Sequence, residues 1–376
     1  MNVSATGPRL GRRRLLQLGA AGLTVTVLGL DSRGAFAADD EPIRWVSPRG
    51  TLEVLDDFAY WVAEKYGYFG DLKTDIQGGP QDATATIKLV DQKQADFGYP
   101  SPGVLSLGLN QGMDLLSVYN VMAGDVFDFA FQKGKAPADL KGIEGKTIAL
   151  GSSGWQSITD PMLAAAGVDT SKVKYVEVSA WGPALAQGQA DAALSWEGLR
   201  AQWGGQGLDF DYLLGKNFSK FPANSYVIRK ADLADPAKVD AYTKYLRGWA
   251  MGMEFGWQNP RAATEITMAK FPALASQMKP AVATDSLLQE LSLMHARWDE
   301  RKAWGFHIEQ SWQDYFDAIA KIGQVSKVFK ASEVTSNQLI PGANDFDHDK
   351  VKADADGYAL SDDYKAVDID KIKAAL

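Results

Sequence analysis

From Ile43 onward, short β-rich runs alternate with helical runs, and this alternation constrains the fold more than any other feature of the chain. Ile43 to Val46 is stopped by Ser47-Pro48-Arg49-Gly50, after which Val54, Leu55, Phe58, Trp61 and Val62 fall on one face of a helical pattern. Leu72 to Gln77, closed by Gly78-Gly79-Pro80, precedes a helix over Asp82 to Val90. Ala95 to Gly98 precedes a helix from Gly103 to Gly112, and Leu115 to Val121 is the next strand. The pattern restarts with strands at Phe127 to Gln132, Lys146 to Gly151, Val173 to Val178 and Asp191 to Ser195, and helices at Trp155 to Ala166 and Gly182 to Gly188. Asn224 to Arg229 is a last strand, followed by helices at Lys238 to Gln258, Pro260 to Lys270, Thr284 to Lys302 and Ser311 to Ile322.

Such alternation predicts an α/β fold with largely parallel sheets. Two α/β units and a helical final third predict two lobes, residues 42–124 with 222–376 and residues 125–221, with crossings near Gly124 and Phe221. Ligands of open α/β sheets bind beyond the carboxyl ends of the strands. Two facing lobes would therefore form a cleft that closes on its ligand.

The N-terminus specifies a compartment. Gly11-Arg12-Arg13-Arg14 leads into a charge-free apolar run from Leu18 to Leu30 and then Ala35-Phe36-Ala37, the order of a signal peptide cleaved after Ala37. The apolar run is shorter than the roughly 20 residues a spanning helix needs. The arginine pair resembles a twin-arginine motif, with Gly, Leu and Gln where Ser, Phe and Lys are usual, so the twin-arginine and general secretory routes both remain open. The chain has no cysteine, which removes disulfides, a lipid anchor at the cleavage site, thiol nucleophiles and thiolate metal sites. A soluble, exported protein with no anchor is expected in the periplasm of a two-membrane bacterium.

The whole chain carries a formal charge of −8, and loss of five Arg and one Asp with residues 1–37 leaves it more negative still. Such a surface repels phosphate backbones and anionic membranes, so nucleic acid is not an expected partner. A monomer with no cofactor and no metal is expected.

Three helix N-termini follow strands: Gly50-Thr51, Gly79-Pro80-Gln81-Asp82 and Gly151-Ser152-Ser153-Gly154-Trp155. Free N–H groups there favour an anionic ligand group. Thr51, Asp82 and Ser153 are equally suited to cap their own helices, but three such termini beside one cleft point to ligand contact at two or more of them. The 11 tryptophans are a second signal. Trp45, Tyr99, Trp155, Trp181 and Trp196 sit at strand ends or loop starts, where rings can stack on a planar solute or a cation. Trp61, Trp249, Trp257, Trp298 and Trp312 lie in helical patterns and are expected to pack. Arg49, in the first loop, could pair with a carboxylate or sulfonate.

Trp61-Val62-Ala63-Glu64-Lys65-Tyr66-Gly67-Tyr68-Phe69, Gln92-Lys93-Gln94-Ala95-Asp96-Phe97-Gly98, Gln187-Gly188-Gln189-Ala190-Asp191-Ala192-Ala193-Leu194-Ser195-Trp196-Glu197 and Trp257-Gln258-Asn259-Pro260-Arg261-Ala262-Ala263 resemble the nitrate/sulfonate/taurine/thiamine-pyrimidine group of ABC substrate-binding proteins. The likeness spans about residues 42–275. It implies a type II periplasmic-binding fold, a small-molecule solute and delivery to an ABC permease in the inner membrane. It also implies that an acidic residue at this point can hold an amine or amino-heterocycle, which makes Glu197, directly after Trp196, an expected partner for a donor on the ligand. Some relatives of this fold make a thiamine pyrimidine with cysteine-rich motifs, which this chain lacks.

An exported hydrolase would need a nucleophile–base pair that is not evident. His295, His307 and His348 have no metal-ligand spacing, and the exported part holds no G-x-S-x-G elbow. Asp345-Phe346-Asp347-His348-Asp349 resembles the start of a calcium loop, but Lys350 and Asp356 stand where that loop needs Gly and a bidentate Glu. The expected function is solute capture for an importer, with a small organic solute favoured, either planar or heterocyclic or an organic anion. Taurine, alkyl sulfonates and nitrate remain open, as does a ligand-loaded partner of a membrane sensor.

Overall fold

The computed structural model describes residues 41–80 and 83–376; the leader expected over residues 1–37, and Gln81 and Asp82, lie outside the described residues. Ten strands are present among them: β1 (Ile43–Val46), β2 (Thr74–Gln77), β3 (Phe97–Gly98), β4 (Leu115–Asn120), β5 (Phe127–Gln132), β6 (Thr147–Leu150), β7 (Lys174–Glu177), β8 (Ala192–Trp196), β9 (Phe210–Leu214) and β10 (Ser225–Arg229). They form two five-stranded sheets, ordered β2-β1-β3-β10-β4 and β7-β6-β8-β5-β9. Both sheets have the same plan. In the first, β10 is the antiparallel strand, pairing with β3 and β4; in the second it is β5, pairing with β8 and β9. The remaining pairings, β1 with β2 and β3 and β6 with β7 and β8, are parallel.

Strands covered on both faces read as continuous apolar runs, and β4 (LLSVYN) is buried at every position. The helix Pro236–Gln258 packs against the helix Phe58–Tyr66 and surrounds Trp45, Tyr226, Tyr245 and Trp249 with aromatic neighbours. Gly252 makes this approach possible, since a Cβ there would lie 2.0 Å from the Ala59 carbonyl oxygen.

The expected α/β class is borne out, and several element limits differ. Residues 54–57 are not helical; the helix starts at Phe58 because Asp57, fully buried, is held by Arg49 instead of continuing the turn. The single helix expected over Thr284 to Lys302 is two, Pro280–Met294 and Trp298–Arg301, separated by Arg297 at φ 54°. The aspartate-rich stretch from Asn337 onward forms short helices. Leu339, Ile340, Val351 and Ala355 are buried, and Tyr68 donates to Asp354 at 2.9 Å. Among the described residues no helix is long and apolar enough to cross a membrane.

Candidate functional site

The chain passes between the sheets twice, from β4 to β5 and from β9 to β10. A cavity of about 90 Å³ lies at the strand ends that flank these passages. Arg49 follows β1, Tyr99 and Ser101 follow β3, Met122 follows β4, Phe127 opens β5, Trp155 follows β6, Trp196 closes β8, and Asn224 precedes β10; all of them line it. Asp56, Thr86 and Glu290 complete the polar lining, and Val104, Val126, Ile158 and Leu194 supply apolar wall. Mostly apolar walls with a few polar groups suit a small-molecule site. The volume holds on the order of six water-sized groups.

One wall is a tryptophan cluster. Trp155 meets Trp196 edge to face at 5.9 Å and Trp181 at 5.3 Å, while Trp181 stacks on Trp196 at 5.9 Å. Trp181 is held from behind, donating from its ring nitrogen to the Leu194 carbonyl at 2.7 Å and meeting Trp203 edge to face. The cluster forms because β6 and β8 are parallel neighbours, so the loop after one and the end of the other emerge side by side.

Opposite in chemistry is a charged group around Arg49. Its guanidinium donates to both oxygens of Asp57 at 2.9 and 2.8 Å and pairs with Asp56 at 2.9 Å. Burial works to lower the Arg49 pKa, but the two carboxylates outweigh it and hold it raised. Glu290, on the helix Pro280–Met294, is 1% exposed and reaches this group from the other side. Burial pushes its carboxyl well above the usual carboxylate range, and the Asp56 charge and a hydrogen bond with Asp56 push it further. Burial, and then the Glu290 charge, raise Tyr99 in the same way.

The expected site residues divide. Arg49, Tyr99, Trp155 and Trp196 line the cavity, and Trp181 backs it. Trp45 does not: it is the third residue of β1 and fully buried, with its ring 5.9 Å from Trp249 in the core. Glu197 does not either. It is fully buried one residue beyond β8, pairing with Arg200 at 2.6 Å and Lys216 at 2.9 Å. Thr51 is exposed and accepts from its own Glu53 N–H, a local turn. Ser152 precedes and Ser153 opens the short 3₁₀ turn Ser153–Trp155; the Ser152 side chain does not cap it, and neither serine lines the cavity. Of the tryptophans expected to pack, Trp257 remains 42% exposed, stacked on His295 at 3.8 Å.

Asp56, Glu290 and Asn224 were not anticipated. For Glu290 a signal exists: Leu287, Leu291 and Met294 mark the buried face of its helix, and a glutamate three residues after Leu287 falls on that face. An acid there needs a partner or a purpose.

A family model described as NMT1/THI5 like matches residues 56–263. The chain belongs to this family. Solved structures similar to it include the alkanesulfonate-binding protein SsuA of Xanthomonas axonopodis pv. citri bound to MOPS, 14% identical over 80% of this chain and 99% of that one, with TM-score 0.59. The periplasmic nitrate-binding protein NrtA of Synechocystis PCC 6803 is 11% identical over 85% and 98%, with TM-score 0.59. A ligand-binding component of an ABC-type import system from Staphylococcus aureus is 11% identical over 80% and 97%, with TM-score 0.58. At these identities the likeness establishes the fold: this NMT1/THI5-like chain has the two-lobed type II periplasmic-binding architecture, as its sequence led us to expect. No curated protein sequence matches it significantly.

Proposed function

We propose that this chain is the solute-binding component of an ABC importer, capturing a small organic solute in the cavity and handing it to an inner-membrane permease. The cavity carries this conclusion, because its lining is drawn from strand ends in both sheets. The names of its structural neighbours, which include periplasmic ligand-binding proteins and a component of an import system, support the same role. Two tryptophan rings at the wall favour a solute with a planar ring, since stacking adds about 0.5–1.5 kcal/mol beyond area burial. Binding, with no bond made or broken, is the whole of the activity.

Residues 42–124 with 222–376 form one lobe in this proposal and residues 125–221 the other, turning about the two passages so that the cleft closes over the solute. Residues 1–37 direct export, and the mature protein works in the periplasm as a monomer. To test this, protein recovered from the periplasm would be denatured and the released small molecule identified by mass spectrometry. That molecule, returned to refolded protein, should raise the melting temperature in a concentration-dependent way and contract the particle in small-angle scattering. Thermal stabilisation with an unchanged scattering profile would replace cleft closure by a rigid pocket.

A further inference from the structure

We propose that the solute is a small cation or hydrogen-bond donor, a protonated amine or amino-substituted ring, held by the Glu290 and Asp56 carboxyl groups beside the rings of Trp155 and Trp196. This rests on the solute-binding function proposed above and narrows its ligand to one charge class, against inorganic and sulfonate anions.

Arg49 is the only cationic side chain that lines the cavity among the described residues, and it is already committed. Each of its terminal nitrogens holds a carboxylate, Asp56 through one and Asp57 through the other. Only its Nε remains without a partner, a single N–H on a guanidinium whose charge is compensated twice. An anion entering here would have to break these pairs or sit beside an excess of negative charge, since three carboxyl groups face one guanidinium.

Glu290 supplies the opposite. Both its carboxyl oxygens are buried, and the one group they bond with is another acid, Asp56; no N–H or basic side chain among the described residues donates to either one. Its neighbours across the group are Asp56, Asp57 and Arg49, while Tyr99 feels its charge from the adjacent wall. A carboxyl in that position is costly unless something donates to it. Glu290 is one of the residues that line the cavity, which puts its carboxyl group next to a bound molecule. A cation also balances the excess negative charge, and the nearby indole rings attract cations through their negative faces. Carboxyl acceptors and tryptophan rings lining one cavity thus favour the same class of molecule by two separate mechanisms.

The test uses the mature, exported protein and four probes of defined charge: benzylamine, 4-aminopyrimidine, benzenesulfonate and nitrate. Binding is read by tryptophan fluorescence and calorimetry, alongside mass spectrometry of any molecule released on denaturation. Benzylamine or 4-aminopyrimidine should bind saturably, weaken at least tenfold in Glu290→Gln, and weaken again in Trp196→Ala. Asp56→Asn, a second isosteric variant, should weaken benzylamine to a smaller degree. Recovery of an amine or cation from the native protein supports the assignment as well. Benzenesulfonate or nitrate binding that is lost in Trp196→Ala, or recovery of an anion, would overturn the charge class and leave solute binding standing. Equal amine affinity in wild type and in both folded carboxyl variants would overturn it too. If no probe binds and no small molecule is released, both the charge class and the solute-binding function fail.

Discussion

The backbone N–H of Gly198 donates to Gln289 Oε1 at 2.8 Å across 91 positions of sequence, and its carbonyl accepts from the Ser286 hydroxyl at 2.9 Å. Both backbone groups of the residue two positions past β8 are thus held by one helix, Pro280–Met294. The residue after Gln289 is Glu290, so this contact also seats the carboxyl group that lines the cavity.

Gly198 is placed where a side chain is excluded. Its φ is 89°, and a Cβ would lie 2.4 Å from Glu290 Oε1. Gly198→Ala should cost about 1–3 kcal/mol in backbone strain and push Glu290 from its seat, lowering both the urea midpoint and solute affinity. Gln289→Ala instead removes the bond from the Gly198 N–H, leaving that buried N–H unsatisfied, together with the side chain's own bond to Asp285, again about 1–3 kcal/mol, while the backbone stays as it is. Retention of wild-type stability and affinity in Gly198→Ala would show that helix and strand end do not constrain each other.

Stability should fall as pH rises through neutrality. Burial pushes the Asp125 carboxyl up to about 7, against hydrogen bonds from Ser219 and from the Phe127 N–H at 3.1 Å. An acid with a raised folded-state pKa binds more protons folded than unfolded. Its contribution is therefore full below the unfolded value of about 4 and lost as pH climbs through about 7. Burial raises Asp128 and Glu290 as well, which adds to the same trend. Urea midpoints should drop between pH 5 and pH 8.5, and Asp125→Asn should flatten part of that drop. A midpoint that rises over this interval would contradict the sign. Asp125 and Ser219 lie on the two passages between the sheets, so the same titration should register in the extent of closure seen by scattering.

Trp155→Ala and Trp196→Ala should each weaken solute binding several-fold beyond the lost apolar area, by about 0.5–1.5 kcal/mol of ring contact. Trp181→Ala should act indirectly, because Trp181 stacks behind Trp196 and is anchored to the Leu194 carbonyl. Affinity and stability together separate the cases: the first two variants should lose affinity most, whereas Trp181→Ala, which also removes the bond to the Leu194 carbonyl, should lower the urea midpoint most. Wild-type binding by all three folded variants would make the cluster packing alone.

How far the sequence reaches depends on whether a feature is local. The strand Phe127–Gln132 and the helix Pro260–Lys270 have the limits their residue patterns suggest, because period and capping residues are local properties. The strand Phe210–Leu214 was not recognised; it is defined by pairing with β5, a partner far away in sequence. Trp45 and Glu197 stand near strand ends as expected, but successive side chains point to opposite faces, and theirs point into packed protein. Glu290 lies in the helical final third, far from every strand end, and reaches the cavity only because its helix crosses over to Gly198.

Glu197 now calls for a different prediction from that of a ligand contact. Its carboxylate is fully buried and pairs with Arg200 and Lys216, and Lys216 in turn donates to the Leu376 backbone carbonyl at 2.9 Å. Glu197→Gln leaves two cations without their countercharge in a partly buried setting, at a cost on the order of 3 kcal/mol, and loosens the seat of the last helix, Ile369–Lys373. The urea midpoint should fall clearly. Affinities for benzylamine and benzenesulfonate should keep their ratio, since the residue does not line the cavity. A variant of wild-type stability whose preference shifts from amine to anion would instead place Glu197 in contact with the solute and remove that role from Glu290.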